Sequence, residues 1–289
     1  MKIKAGIILL VFLLALEGCV MQNSHQNETT PPAVTTTQAP PSVDGFVPNF
    51  TYQSAKANQY SHWLSAGTFE ADYLRLINKN ANDFAASYPP ETLMSLNTAA
   101  TNFGKAVEVD ARVAYALYAM LDEMRCDGIT DVRITSGYRS YEYQEILYNN
   151  YKNKEMTTIS YEAYSFFGAA YIQEHYTDLG IERLTEEDAA KVANFYSAQP
   201  GKSEHHTGLA VDLIIDGWTE LSEDFEDTAA FAWLEQNAYR FGFILRYSKG
   251  KSNITGYIYE PWHYRYVGRE AAAEIYAKGL TLEEYLGRV

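Results

Sequence analysis

The segment SEHHTGLAVD, residues 203–212, has a different residue pattern on each side of its glycine. The residues before Gly208 are polar and include two histidines, whereas those after it have the alternating pattern of a β-strand. In that strand Asp212 faces away from the bulkier apolar side chains, and glycine permits a sharp turn into it. We therefore predict that His205, on the loop side of the turn, and Asp212 can converge on one ion.

A second segment, EPWH at residues 260–263, adds another imidazole and a longer carboxylate. Glu260 and His263 would face opposite sides of a regular strand, because side chains alternate with a period of two. Proline is disfavoured inside a β-ladder, so we predict that this strand starts after Pro261. A bend at that point would allow Glu260 and His263 to share one site.

Together the two segments contain the side chains that a catalytic metal ion requires. A catalytic zinc ion takes three protein ligands and keeps one open position, and imidazole ligands favour zinc over magnesium or calcium. The imidazoles and carboxylates could supply those ligands and a base for the water that the metal activates. His206 directly follows His205, and we predict that it lines the pocket wall instead of binding the metal.

The rest of the chain predicts strands interspersed with helices that do not alternate strictly with them. This pattern is typical of an α+β fold with a small, mostly antiparallel sheet. Ser140, Ser160 and Thr185 are the predicted helix N-caps. The predicted strands are 74–78, 132–136, 209–215, 243–247, 257–259 and 262–267, and the predicted helices are 111–124, one from about 141, 225–241, 270–278 and 282–286, with residues 155–198 mainly helical.

Residues 1–18 have the layout of a secretory signal peptide, with a basic start followed by an apolar run over 7–16. An uncleaved anchor helix is the alternative, although the run is short for a membrane span. The sequence LEGC that ends at Cys19 resembles the lipobox of bacterial lipoproteins, in which the cysteine is lipidated, although Glu17 departs from the usual small residue. This resemblance implies a lipid anchor on Cys19 at the extracellular face of the bacterial cytoplasmic membrane.

The composition of the chain limits its domain organisation and its possible binding partners. Residues 19–44 are rich in Thr and Pro and lack the apolar content for a core, so we predict a disordered tether followed by one domain over 45–289. The net charge of −14 becomes −15 when Lys2, Lys4 and Glu17 are removed with the leader. This balance argues against nucleic acid as a partner. We expect a monomer.

Several motifs together resemble the VanY-type D-alanyl-D-alanine carboxypeptidases. These enzymes belong to the LAS group of zinc peptidases, which trim the stem peptides of peptidoglycan. The resemblance covers roughly residues 74–289 and implies a hedgehog/DD-peptidase-like fold. The matching motifs are S-x-H followed by six residues and D at 203–212, SGYRS at 136–140 followed by Gln144, and EPWHYRYVG at 260–268.

The resemblance also implies roles for individual residues. His205, Asp212 and His263 would bind Zn²⁺, and Glu260 would take a proton from the attacking water and pass it to the leaving amine. Arg139 would face the scissile carbonyl and stabilise the oxyanion. Its alternative is a structural arginine that pairs with an acidic neighbour.

The resemblance implies substrate contacts at two further positions, and the chain departs from the family in two features. Ser203 and Gln144 would hydrogen-bond polar groups of the substrate, and a cap or a supporting role is the alternative. The family commonly has Gln where this chain has His206. The stretch before Ser203 is also longer than usual, so residues 155–198 are either a helical lid that shapes substrate choice or a surface insertion.

The resemblance implies a peptidoglycan stem peptide as the substrate and removal of its terminal D-alanine as the reaction. One alternative keeps the zinc chemistry but cleaves between L-Lys and D-Ala in stems that are already shortened to tetrapeptides. A second alternative is a lipoprotein that binds wall peptides without cutting them. That alternative is disfavoured because the base and all three ligands are present.

Overall fold

The computed structural model describes residues 52–58, 71–83, 90, 93–177, 180 and 183–289. The predicted signal peptide over 1–18, the tether over 19–44 and the lipidation site Cys19 lie outside these residues and remain predictions. Within the described part, none of the helices combines the length and the apolar character that a bilayer-spanning helix needs.

The central element is a four-stranded antiparallel sheet with the strand order β3-β4-β6-β5, and a separate antiparallel pair is formed by β1 and β2. The mixture of this small sheet with flanking helices confirms the predicted α+β fold. The strands are β1 Leu93–Ser95, β2 Glu108–Asp110, β3 Val132–Ser136, β4 Ala210–Ile215, β5 Phe243–Tyr247 and β6 Glu260–Tyr266.

The helices lie between and after the strands in the chain, and a group of them separates β3 from β4. Ser140, Ser160 and Thr185 cap their helices as predicted, because each side chain accepts a hydrogen bond from a backbone N–H in the first turn. The helices are α1 Ala111–Cys126, α2 Tyr141–Glu155, α3 Tyr161–Phe167, α4 Ala169–Ile172, α5 Glu186–Tyr196, α6 Ala229–Asn237, α7 Ser252–Thr255, α8 Arg269–Lys278 and α9 Leu282–Tyr285.

One face of the sheet packs against the apolar core, and the other carries the candidate site. Val211 and Leu213 of β4 and Tyr264 of β6 belong to the main apolar core, together with Leu117 and Met120 of α1. Burial of this face removes apolar surface from water and supplies the main stabilising contribution. Alternation along the strands then places the intervening residues of β4 and β6 on the opposite face, where the candidate site lies.

Three predicted elements differ from those in the structure. The predicted strand 74–78 is replaced by a 3₁₀ turn at Ala71–Leu74 and a single bridge between Ile77 and Asn82. Residues 257–259 are not a strand. The predicted helix 225–241 begins later, since Thr228 accepts a hydrogen bond from the Phe231 N–H and caps α6.

The start of β6 also differs from the prediction, because the strand includes Glu260 and Pro261. The pairing of β5 with β6 shifts between Leu245–Tyr264 and Tyr247–Glu260, so four steps along β6 match two steps along β5. Proline is tolerated at such a bulge because no ladder hydrogen bond from its nitrogen is needed. The bulge thus supplies the bend that was expected to follow from a later strand start.

The described part of residues 155–198, the predicted insertion, is mainly helical, as expected, and has its own small core. Ala163, Ile172 and Tyr176 pack against side chains of α5, among them Val192. The segment is tied to α2 by partly buried polar contacts: the Tyr196 hydroxyl donates to Glu155 Oε1 at 2.8 Å, and the Tyr148 hydroxyl donates to the Ala190 carbonyl at 3.1 Å.

One glycine is required where the β3–α2 loop crosses β2. A Cβ atom on Gly137 would lie 2.3 Å from the Glu108 carbonyl oxygen and 2.9 Å from a methyl group of Val107. The same loop brings the Gly137 carbonyl oxygen to 2.7 Å from His205 Nδ1. The close backbone approach therefore fixes the position of a group at the candidate site.

We expect Gly137→Ala to lower the free energy of unfolding by about 3 kcal/mol, because the methyl group has no space and the backbone must move. For a domain of this size the drop in Tm is about 6–12 °C. Gly217→Ala is the control, since a Cβ there meets nothing within 4 Å and only the positive φ of 84° is unfavourable. Thermal unfolding of both variants tests this, and an equal drop in Tm would contradict the steric argument.

Candidate metal centre and active site

The first histidine is placed by a short turn that ends in glycine. Residues Glu204–Thr207 form a 3₁₀ turn, in which the Ser203 hydroxyl accepts a hydrogen bond from the His205 N–H at 3.3 Å. Gly208 follows with a φ of +68°, and a Cβ there would lie 2.8 Å from the backbone nitrogen of Asp110. The sharp turn predicted at this glycine is therefore confirmed.

The register of β4 and β6 brings the next two residues together. Asp212 and His263 are directly opposite each other on these antiparallel strands, so their side chains share one face of the sheet. The bulge in β6 turns Glu260 toward the same side, where its Oε2 lies 3.5 Å from His263 Nδ1. Residues from three separate stretches of chain thus meet at one place.

His205, Asp212 and His263 form a compact group of potential metal ligands. His205 Nε2 lies 3.3 Å from Asp212 Oδ2, and His263 Nδ1 lies 3.0 Å from Asp212 Oδ1. One potential ligand atom from each residue lies within 4.8 Å of the other two. All three side chains are buried, and Asp212 Oδ1 has no hydrogen-bond partner among the described residues. A buried carboxylate that contacts one imidazole through each of its oxygens suits a cation such as zinc.

Hydrogen bonds and burial set the charge states of the side chains in this group. The Gly137 carbonyl can only accept, so His205 Nδ1 carries the proton and its Nε2 faces Asp212 with a lone pair. Burial, helped by the Arg139 guanidinium, lowers the pKa of His205 to about 4. Burial alone would lower the pKa of His263, but contacts with the carboxylates of Asp212 and Glu204 outweigh it and raise this pKa to about 9.

Glu260 has the protonation behaviour of a potential general base. Burial raises the pKa of its carboxyl to about 7, against the opposing effect of the His263 imidazole. A group with a pKa near neutral pH can both take up and release a proton efficiently. Glu260 lies at the cavity wall with 8% of its surface exposed.

The predicted substrate residues surround the same group. Arg139 donates to Asp212 Oδ2 at 2.7 Å and to the Ser136 hydroxyl at 2.9 Å, which agrees with the alternative of pairing with an acidic neighbour. Gln144 is buried, and its amide donates to the Ala198 carbonyl at 2.8 Å. Ser203 is a helix cap and also lines the cavity. The roles predicted for Arg139, Gln144 and Ser203 toward substrate remain predictions.

His206 is not one of the potential ligands, as predicted, but it does not line the cavity that contains them, so its predicted place in the pocket wall is wrong. Its Nδ1 donates to the Arg139 carbonyl at 2.8 Å, and its Nε2 accepts from the Gly201 N–H at 3.0 Å. Both ring nitrogens are therefore used to join the turn before His205 to the loop that carries Arg139.

The structure adds a buried ionic cluster that none of the sequence motifs indicated. Glu204 Oε1 accepts hydrogen bonds from Arg246 Nε at 2.8 Å and from Arg265 Nη1 at 2.9 Å, and all three side chains are buried. Burial alone would raise the pKa of the Glu204 carboxyl, but the two guanidiniums outweigh it and hold it well below its ordinary range. The available signal was a charged residue inside each of the predicted strands 243–247 and 262–267.

A cavity of about 590 Å³ contains the metal group and extends along α2 to the inserted helical segment. The insertion contributes Glu162, Tyr196 and Ser197 to its wall. The cavity lining also includes residues from the loop after β4. Those residues are Thr219, Glu220 and Leu221.

Known proteins are similar to this chain in sequence. Residues 106–269 match the family described as VanY, D-alanyl-D-alanine carboxypeptidase. A D-alanyl-D-alanine carboxypeptidase of Enterococcus faecalis is 38% identical over 178 residues, which are 62% of this chain and 55% of the relative. The match thus spans about half the length of that relative. The Bacillus subtilis protein YodJ is 32% identical over 284 residues, 94% of this chain and 91% of the relative.

Solved structures agree with the sequence matches. A vancomycin-resistance D,D-pentapeptidase VanY, solved as a point mutant with Zn(II), has a TM-score of 0.56 at 35% identity and covers 74% of this chain and 99% of its own. The LD-carboxypeptidase LdcB has a TM-score of 0.56 at 34% identity, with coverages of 75% and 86%. These neighbours support the fold that the motif resemblance implied. With the family match over more than half of the chain and the expected ligands gathered at one cavity, this chain belongs to the VanY family of D-alanyl-D-alanine carboxypeptidases.

Proposed function

We propose that this chain is a zinc-dependent D,D-carboxypeptidase that removes the terminal D-alanine from peptidoglycan stem peptides. The observation that carries the proposal is the meeting of His205, Asp212 and His263 within 4.8 Å, next to Glu260 and at the wall of an open cavity. A wall-binding protein without activity would not need a base beside the metal ligands.

In this proposal His205 Nε2, Asp212 and His263 Nδ1 hold the zinc ion. Bound there, zinc supplies Lewis-acid chemistry, which polarises a carbonyl oxygen and makes water acidic near neutral pH. The neutral state of His205 and the ionised state of Asp212 prepare these side chains for a cation. Burial alone would raise the pKa of Asp212, but the imidazoles and Arg139 hold it well below its ordinary value.

Glu260 moves the proton during the reaction. Its carboxylate accepts a proton from the water that attacks the scissile carbonyl, and the resulting acid donates that proton to the leaving amine of D-alanine. The bulge at Pro261 makes this role possible, because it turns Glu260 toward the face that carries His263.

Arg139 stabilises the negative charge that develops on the carbonyl oxygen in the proposed reaction. Its guanidinium lies at the cavity wall, and two of its nitrogens contact Asp212 and Ser136. Such fixed donors contribute most when they are oriented before the reaction begins. Gln144 supports this orientation, since its Oε1 lies 3.4 Å from Arg139 Nη1, and Ser203 is placed to bind a polar substrate group.

Two observations bear on the bond that is cleaved. A VanYB structure in complex with D-alanine-D-alanine resembles this chain with a TM-score of 0.55 at 35% identity, which supports D,D activity. LdcB, an LD-carboxypeptidase, is similar to the same extent and supports the alternative cleavage of tetrapeptide stems. D,D cleavage is our first choice because the matched family is described by that activity.

The proposal includes an exported enzyme that is anchored outside the cell. Residues 1–18 would direct export, a lipid on Cys19 would hold the protein at the extracellular face of the membrane, and residues 19–44 would let the monomeric domain over 45–289 reach the wall. The composition of these segments supports this part of the proposal.

Defined substrates test the proposed activity. Purified protein is incubated with a pentapeptide and a tetrapeptide stem, and the products are identified by mass spectrometry. We expect loss of one alanine from the pentapeptide, abolition of this reaction by a chelator, and recovery when zinc is added back, because the metal supplies the Lewis acid. Cleavage of the tetrapeptide alone would favour the L,D alternative, and no cleavage of either peptide by the zinc-loaded protein would contradict the proposal.

A further inference from the structure

A buried cluster of charges lies directly behind His263 and is not used by the proposed reaction. Glu204, Arg246, Arg265 and Glu283 are each at most 1% exposed. Two carboxylates and two guanidiniums give a balanced cluster, which is the condition under which buried charges are tolerated. The position of this cluster next to a potential metal ligand calls for an explanation beyond stability.

Both arginines are firmly held on the side away from the metal group. Arg246 forms a two-pronged contact with Glu283, with distances of 2.9 and 2.7 Å. Arg265 Nη2 donates to the backbone carbonyls of Tyr73 at 3.0 Å and Arg75 at 2.9 Å. Planar guanidiniums fixed in this way present their remaining donors in defined directions.

Those remaining donors converge on only one of the two Glu204 oxygens. Oε1 receives Arg246 and Arg265, whereas Oε2 has no hydrogen-bond partner in the described part of the chain. Oε2 lies 3.5 Å from His263 Nε2, and that nitrogen also lacks a partner among the described residues. The two orphaned buried atoms therefore face each other just beyond normal hydrogen-bond length.

The contact between Glu204 and His263 determines which ring nitrogen of His263 carries the proton. A carboxylate held by two guanidiniums can only accept a hydrogen bond, so the proton of a neutral His263 belongs on Nε2. The lone pair is then on Nδ1, the nitrogen that lies 3.0 Å from Asp212 and 3.5 Å from Glu260. His205 has the opposite arrangement, with its proton on Nδ1 toward Gly137 and its lone pair on Nε2.

We propose that Glu204 is a positioning residue that holds the His263 ring with its Nε2 proton toward the carboxylate, so that Nδ1 is the metal-binding atom. Partners that bind the second ring nitrogen of a ligating histidine fix its tautomer and ring orientation. The arginine pair in turn fixes Glu204. This inference rests on the proposed function only in taking His263 as a metal ligand, and it needs no assumption about the peptide that is cleaved.

Glu204→Gln tests the inference, with Glu283→Gln as a matched control. Both substitutions neutralise a buried carboxylate that contacts Arg246, but only Glu204 also contacts His263. Zn(II) affinity is measured for the full chain by competition with a chromophoric chelator. We expect Glu204→Gln to weaken zinc binding about 10–100-fold, and Glu283→Gln to leave it within about threefold of wild type while still lowering Tm.

A spectroscopic readout separates positioning from general destabilisation. Nitrogen-15 NMR of histidine-labelled, zinc-loaded wild type should show one ligating ring protonated on Nδ1 and one protonated on Nε2. Glu204→Gln should change only the second pattern. Glu204→Asp keeps the charge and provides a second variant, with affinity between those of wild type and Glu204→Gln, if the amide variant does not fold.

The outcomes distinguish this inference from the proposed function. Equal weakening of zinc binding in Glu204→Gln and Glu283→Gln, or an unchanged nitrogen-15 pattern in Glu204→Gln, would overturn the positioning role. A wild-type protein that shows both ring patterns but cleaves no stem peptide would refute the proposed activity and leave the role of Glu204 standing. A wild-type protein that binds no zinc would refute both.

Discussion

Glu260→Gln is expected to lower the rate of D-alanine release by about 10²–10⁴-fold while zinc stays bound. The substitution keeps the size of the side chain but removes the group that accepts the proton from water. Glu260 contacts His263 at 3.5 Å and is not one of the three residues whose ligand atoms lie within 4.8 Å of each other. Its loss should therefore affect the chemical step much more than the metal.

The measurement is steady-state release of D-alanine from a pentapeptide stem, with the zinc content determined on the same samples. Glu220→Gln is the matched control, because Glu220 lines the same cavity but is exposed and is not among the potential metal ligands. We expect wild-type turnover for the control. Unchanged turnover in Glu260→Gln would refute the role as base, and loss of zinc from that variant would show that Glu260 is a ligand.

Local sequence signals predicted the parts of the fold that depend on neighbouring residues. Helix α1 and the caps at Ser140 and Thr185 follow from apolar spacing and from side chains that bond to the first turn, and both effects act within a few residues. The turn at Gly208 is of the same kind. Within one motif the candidate ligands are close for the same reason, whereas the meeting of the two motifs depends on the pairing of β4 with β6.

Properties that depend on pairing between distant segments were not accessible in this way. The β6 strand was expected to begin after Pro261, but the β5–β6 register shift accommodates the proline inside the strand. The contacts of Glu204 with Arg246 and Arg265 join residues 42 and 61 positions apart. No periodicity identifies such partners, because a charged residue inside a predicted strand reads the same whether it faces solvent or a buried counter-charge.

The second large effect, on zinc binding, is expected from a substitution within the group of His205, Asp212 and His263. Asp212 is the one residue of the group that contacts both imidazoles, and it also accepts a hydrogen bond from Arg139 at 2.7 Å. Asp212→Ala would leave the two rings without the carboxylate between them and would leave the guanidinium facing the metal position. Repulsion between that cation and a metal ion adds to the loss of a ligand.

We therefore expect Asp212→Ala to weaken zinc binding by more than about 100-fold, beyond the upper end of the effect of losing an outer partner, and to reduce hydrolysis to background. A ligand that binds only the folded state stabilises it by about 4 kcal/mol at a concentration a thousand times its Kd. Zinc should accordingly raise the Tm of the wild type and have little effect on the Tm of Asp212→Ala.

Asp216→Ala is the control for this measurement, because Asp216 lies just beyond the end of β4 and pairs with Arg133 at the surface. We expect it to keep the full zinc-dependent rise in Tm. If Asp212→Ala were stabilised by zinc as strongly as this control, the ion would have to bind through other residues. The structure would then require a different explanation for the buried Asp212 Oδ1, which lies 3.0 Å from His263 Nδ1 and has no hydrogen-bond partner in the described part of the chain.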